Sequence, residues 1–349
     1  MMTVSALPVR LRSFVRSSTP FVAHRSGISH AIARRYRGRG VVFMLHSVVD
    51  DGAFYPESML RCPAGRLDWI LRWLKANGVE FVSLDEAIAR LAAPRSGLFA
   101  AFTFDDGYLD NLTHALPVME RHNAPFTVFV TTGMITGEID AWWFGLSNLL
   151  AARDSFEFAG DRFPCPDRAA KQRAFLAIEA KIHRNYALLP ELKKIIAANR
   201  IDCTALALRE GLSPEKLREL ASHPLVAIGG HTTSHINLAQ ASAADVQQEL
   251  RDNRVFLEGI VDKPVTHFAY PFGNPDACGV REANIAKALG FRSAVTTRRG
   301  SLFPEHLDHL HELPREPLTR ADTPSSLRCK VDGFYRALHS RLGDPVARM

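Results

Sequence analysis

Two stretches of this sequence place ionisable side chains in patterns that could do chemistry. The first is "AAFTFDDGYLDN", Ala100–Asn111, where Asp105 and Asp106 stand side by side at the end of an apolar run. The second is "VAIGGHTTSHINL", in which His231 and His235 are four residues apart. Asp-Gly by itself is an ordinary turn, and a lone His pair at that spacing is an ordinary helix face. Together they say more. Two neutral imidazoles and one carboxylate make a ligand set for a divalent metal that leaves coordination positions open for water and substrate. One aspartate would then offset the charge of the metal and the other would be left for proton transfer. Gly229 and Gly230 free the backbone before the histidines, and Thr232, Thr233 and Ser234 offer hydroxyls to orient them.

Something must bring these distant residues to one place. Short apolar runs alternate with helical patterns along the chain. "GVVFML", "EFVSL", "LFAAFTF", "FTVFVTT", "LVAIGG", "THFAY" and "SAVTT" read as buried strands. Leu67, Ile70, Leu71 and Leu74 mark an amphipathic helix ending near Gly78, and helical segments are expected near 85–91, 109–119, 242–262 and 280–289. Strands that are apolar throughout and separated by helices belong to a parallel sheet covered on its faces. About seven of them predict an α/β fold, a distorted parallel (β/α)7-type barrel. Residues 141–222 break the rhythm and read as a mostly helical insertion, a lid or wall that opens on Trp142–Trp143. In such barrels chemistry sits at the carboxyl ends of the strands. Besides the two motifs, that filter passes "THFAYPFGNP", with a turn at Tyr270–Gly273, and "VVFMLHSV", with His46.

"TFDDG" followed by "HTTSH", with "YPFG" after them, resembles the motif series of the polysaccharide deacetylase family, carbohydrate esterase family 4 or NodB homology, which includes chitooligosaccharide deacetylases. The resemblance spans roughly residues 40–317. It implies a distorted (β/α) barrel and a divalent metal, usually zinc (cobalt or another divalent ion being the alternative), that serves to remove N- or O-acetyl groups from sugars. Asp105 matches the catalytic base, and Asp106, His231 and His235 match the metal ligands. The family's third motif often reads Arg-Pro-Pro-Tyr-Gly; here Ala269 takes the place of the arginine and Phe272 that of the tyrosine. Arg315, in "ELPREPL", is the candidate to orient the base instead. The proton donor to the leaving group is sought among His309 and His311, in "LDHLHELP", and His46. The Phe272 backbone N–H is the expected oxyanion donor, with Tyr270 and Trp143 as candidate substrate contacts. Competing readings are a hydrolase of C–N bonds in small amides or cyclic ureides, and a catalytically silent carbohydrate-binding barrel.

The 349 residues, 46% hydrophobic and 23% charged, suit a globular protein with a large core. The net charge of +6 is concentrated in residues 1–39, which hold eight arginines and no Asp or Glu, so the body of the chain is close to neutral. No nucleic acid is therefore expected on the folded part. The arm reads as a disordered leader, with docking to anionic membrane as the functional alternative. Residues 40–320 are assigned to the barrel and 321–349 to a C-terminal tail or helix. Five dispersed cysteines without CxxC spacing fit a reducing compartment, so the expected location is cytoplasmic, with peripheral attachment at the inner membrane face if the arm docks.

Overall fold

The computed structural model describes residues 19–57, 60–94 and 97–349. Twelve strands are present: β1 Gly40–Leu45, β2 Ser47–Val49, β3 Arg61–Pro63, β4 Glu80–Phe81, β5 Phe99–Phe104, β6 Phe126–Val130, β7 Ser155–Phe158, β8 Asp161–Pro164, β9 Val226–Gly230, β10 His267–Ala269, β11 Ser293–Val295 and β12 Glu316–Pro317. Seven of them run in the order β11-β10-β9-β6-β5-β1-β12, all parallel, and β4 pairs with the first residues of β5. Residues 313–317 close the ring. Leu313 bridges to Val295 of β11, and Glu316 three residues later pairs with Phe43 of β1. The result is the expected distorted (β/α)7 barrel, curled from a parallel sheet with helices around it.

Strand alternation decides what faces where. Phe102, Phe104, Val128, Ile228 and Phe268 pack outward against the helices, in one cluster with Leu67, Leu71, Leu217, Leu250 and Leu257. Val42, Phe99, Ala101, Phe129, Ala269 and Val295 make a separate cluster inside the barrel. Phe99 and Phe129 fill that interior because their neighbours are glycines: a Cβ on Gly40 or Gly229 would lie 2.3 or 2.4 Å from those rings. Burying each such side chain is worth about 1.5–3 kcal/mol.

The insertion has its own core. Trp142, Leu146, Leu150, Phe156, Phe175, Ile178 and Leu192 cluster apart from the barrel, on the helices Trp142–Ala151, Arg168–Arg184 and Leu189–Ala198 and the hairpin β7–β8. The hairpin is the one non-helical element in an insertion that is otherwise helical, among the described residues. The last helix, Pro214–Ser222, is capped by Ser213 and packs with the barrel instead, burying Leu217, Leu220 and Ala221 in the barrel cluster.

The basic arm also differs from its sequence reading. Residues 1–18 lie outside the described residues, but 19–25 and Ile28–Tyr36 are helical and packed on the C-terminal helices Pro324–Val331 and Phe334–His339. Ser29 and Arg37 both bond to buried Asp332, the guanidinium through Nε at 3.1 Å. An acid-free segment looks unfoldable by composition when the carboxylate that pairs with it lies some 300 residues away. Among the described residues no helix is long and apolar enough to cross a membrane.

Candidate active site

The strand register assembles the site. Leu45 and Phe104 are paired at the ends of β1 and β5, so His46 and Asp105 leave the barrel side by side, and the Asp105 N–H donates to the Leu45 carbonyl at 3.0 Å. Val130 pairs with Gly230, placing Thr131 beside His231, and Phe268 opposite Gly230 brings Ala269 to the same histidine. Asp105 continues the inward series Phe99, Ala101, Thr103. By the same alternation Asp106 would point out into the helical layer. It does not, because the backbone turns left-handed at Asp106 (φ 75°) and at Gly107 (φ 82°). The turn begins one residue earlier than the glycine requires. Aspartate tolerates this conformation better than most residues. Thr232, His235 and Phe272 are also at positive φ (65°, 54° and 60°), so four non-glycine residues of one site hold backbone strain.

Asp106 Oδ1 stands 3.4 Å from Nε2 of His231 and 3.4 Å from Nε2 of His235, and it is buried without a hydrogen-bond partner among the described residues. Two bonds of about 2.1 Å meeting at a tetrahedral angle would separate their donor atoms by about 3.4 Å. The tautomer of His231 fits as well. Its Nδ1 donates to the Ala269 carbonyl at 2.7 Å, which leaves the Nε2 lone pair facing the aspartate. Burial works to lower the pKa of His231, but the carboxylates of Asp106 and Asp105 together with the Ala269 carbonyl outweigh it and the net shift is upward. The cluster thus attracts positive charge, and the three donors, all within 4.8 Å of one another, fit a divalent cation.

These ligands are held from behind by residues the sequence reading passed over. Asn253, fully buried, accepts from the His231 N–H at 3.0 Å and donates to the carbonyls of Val130 and Thr232. Glu249 accepts from the N–H groups of Thr233 and Ser234, and Thr131 Oγ1 donates to the His231 carbonyl. A signal for Asn253 existed. It is a polar residue at the spacing of the apolar stripe Val246, Leu250, Leu257, Val261.

Asp105 meets a different partner. Arg315 donates from Nη1 to Oδ1 and from Nη2 to Oδ2, both at 2.7 Å, and also to Thr103 Oγ1 and the Thr296 carbonyl. Arginine and carboxylate are both buried. Burial pushes the Asp105 pKa up, the guanidinium with help from His231 and His46 more than offsets it, and the carboxyl is held below its ordinary value of 3.8.

A pocket of about 450 Å³ opens over these groups. Asp105, Asp106, His231, His235, His46, Trp143 and Phe272 line it. Trp143 reaches it from the insertion, its ring 6.0 Å from that of His235, and the Phe272 ring lies 4.9 Å from the same imidazole. Asn111 Nδ2 donates to the His46 carbonyl and fixes that strand end. Three candidates are elsewhere. Tyr270 shares the outward alternation of Phe268 and is buried in the helical layer, its hydroxyl donating to the His311 carbonyl at 2.9 Å. His311 is occupied with the Phe291 carbonyl at 2.8 Å, and His309 faces Glu312 at 3.4 Å. Neither histidine lines the pocket, which leaves His46 as the candidate there.

The polysaccharide deacetylase family pattern matches residues 93–294, more than half of the chain. The chain belongs to the polysaccharide deacetylase family. The match ends before Arg315, so the partner of Asp105 lies outside it. The Bacillus subtilis protein YxkH, provisionally assigned as a polysaccharide deacetylase, is 21% identical over 262 residues, 74% of this chain. The chain spans 65% of the length of that relative. Solved deacetylase structures share the fold. The Streptococcus pyogenes deacetylase PplD in complex with acetate superposes with a TM-score of 0.53 at 18% identity, covering 82% of this chain and 95% of that one. IcaB from Ammonifex degensii gives 0.54 at 18%, covering 84% and 97%.

Polysaccharide deacetylases are in general metal-dependent, and the Asp106–His231–His235 cluster fits that requirement. Removing one donor from a three-ligand site is expected to abolish stoichiometric binding. Asp106→Asn should retain less than about a hundredth of the wild-type zinc affinity in a competition titration with a chelating dye. Retention of full affinity would place the metal elsewhere.

Proposed function

We propose that this protein is a metal-dependent hydrolase that removes N-acetyl groups from an amino-sugar chain, with Asp105 as base and His46 as acid. The observation that carries the reading is the division of labour between adjacent aspartates. Asp105 is held by a guanidinium, and Asp106 faces two imidazoles. A divalent ion bound by Asp106, His231 and His235 would polarise the acetamide carbonyl and make water a better nucleophile. Asp105 accepts the proton of the attacking water on a carboxylate oxygen. Arg315 keeps that carboxylate ionised and fixed in orientation, the office of the motif-three arginine that Ala269 lacks. The Phe272 N–H, in the turn at the edge of the pocket, is assigned as the donor to the oxyanion as it forms. His46 gives its proton to the departing sugar nitrogen, and the C–N bond breaks to acetate and amine.

Burial lowers the His46 pKa, although Asp106 and Asp105 act to raise it. The acid form is thus lost early as pH rises, and kcat is expected to fall on the alkaline side with an apparent pKa below about 6.5 unless bound substrate shifts it. His46→Gln should lower kcat by roughly 100-fold or more and abolish that limb of the pH profile. An unchanged limb would remove His46 from the mechanism. The reading as a whole is tested by acetate release from N-acetylated oligosaccharides, O-acetylated oligosaccharides and small amides compared at equal enzyme. Release confined to the first group supports it, and release confined to small amides overturns it.

A further inference from the structure

The insertion supplies the far wall of the pocket, and its contribution is acidic. Asp140 and Glu179 line the cavity with Asp105 and Asp106, and no Lys or Arg is among the described lining residues. Three of these four carboxylates are answered by a cationic or cation-accepting partner. Asp105 has Arg315, Asp106 faces the two histidines, and Asp140 is 3.1 Å from Lys193 Nζ. Glu179, on the helix Arg168–Arg184, makes no hydrogen bond or ion pair among the described residues. Among the described residues the charge that acts on it is another acid, Glu57, and that carboxylate is already engaged with Arg61 and Ser147. Burial, with a smaller contribution from Glu57, raises the Glu179 pKa to about 7.

Building on the deacetylase reading, we propose that Glu179 recognises a protonated amine on a sugar close to the one being deacetylated, so that the favoured substrate is a partly deacetylated amino-sugar chain. A half-buried carboxylate with no cation is an unfavourable arrangement that a ligand can relieve. A sugar hydroxyl would donate a hydrogen bond to it. Only a cation also pairs with the charge of Glu179, the one acid of the four left without such a partner among the described residues. A sugar carboxylate or phosphate at the same place would set a like charge against Glu179 and is disfavoured. The proposed reaction itself generates the cation, because each acetamide that is cleaved leaves an amine that is protonated at neutral pH. The pocket would then bind a chain more tightly once its first acetyl groups are gone.

The test is equilibrium binding of two probes, the glucosamine tetramer and the fully N-acetylated tetramer, to wild type, Glu179→Gln and Glu179→Asp. Thermal melting checks that the variants fold. Wild type should bind the amine-bearing tetramer about tenfold more tightly, the scale of one charge-assisted hydrogen bond in a partly solvated site. Glu179→Gln should reduce the ratio of the two affinities to about one, and Glu179→Asp should keep part of it. Wild type that does not discriminate, or Glu179→Gln that discriminates as well as wild type, overturns the proposal. Acetate release is measured in parallel. If no acetylated saccharide is turned over while the Glu179-dependent preference persists, the deacetylase reading fails and the amine recognition stands.

Discussion

Asp105→Asn is expected to fold, to bind one divalent ion per chain as tightly as wild type, and to release acetate at least roughly 100-fold more slowly. The side chain is isosteric, and Asp105 is not among the three clustered donors. Arg315 would keep its bonds to Thr103 Oγ1 and the Thr296 carbonyl, and the amide oxygen would still accept one of the two bonds that the carboxylate accepts now. What is lost is the site for the proton. Metal content and single-turnover acetate release, measured on the same preparation, separate this from Asp106→Asn, which should lose both together. Turnover within a few-fold of wild type in Asp105→Asn would mean that some other group takes the proton.

Arg315→Met should have the largest effect on stability. Removing one member of a buried, bidentate ion pair leaves the other charge in a dry site, at a cost of about 3–5 kcal/mol. Asp105 now titrates below its ordinary value, so the pair's contribution is fully present above about pH 4 and is lost as pH falls through the depressed value. In Arg315→Met burial acts alone and raises the Asp105 pKa. The carboxyl takes up its proton at higher pH, the acid limb of the activity profile moves upward, and the stability deficit shrinks as the stranded charge is neutralised. The double variant Arg315→Met/Asp105→Asn should be more stable than the sum of the single losses implies, by about 1 kcal/mol or more in urea unfolding. Additive losses and an unmoved acid limb would show that the guanidinium does not control this carboxylate.

Much of this site could be read from residue types, because strands apolar throughout announce a barrel and polar residues at their ends announce its mouth. Alternation supplies a finer rule. His46, Asp105 and His231 follow inward positions, whereas Tyr270 follows outward Phe268 and is lost to the helical layer. Asp106 escapes alternation through its own left-handed backbone, a conformation that no residue pattern encodes as clearly as a glycine would. Arg315 was accessible through family resemblance alone, since its partner is 210 positions away and nothing in "ELPREPL" marks it as buried. The hairpin of the insertion was missed for a local reason. Its turn uses Ala159 and Gly160, both at positive φ, where Asn or Asp usually precedes the glycine.

Deacetylation as proposed depends on one ion held by Asp106, His231 and His235. The most direct measurement is acetate released from an N-acetylated oligosaccharide by chelator-stripped protein as zinc is added back in sub-stoichiometric steps. Activity should be absent at first, rise in proportion to added zinc and level off at one ion per chain, and Asp106→Asn should stay flat throughout. Equal acetate release before and after zinc addition, or none at any ratio of metal to chain, would contradict it.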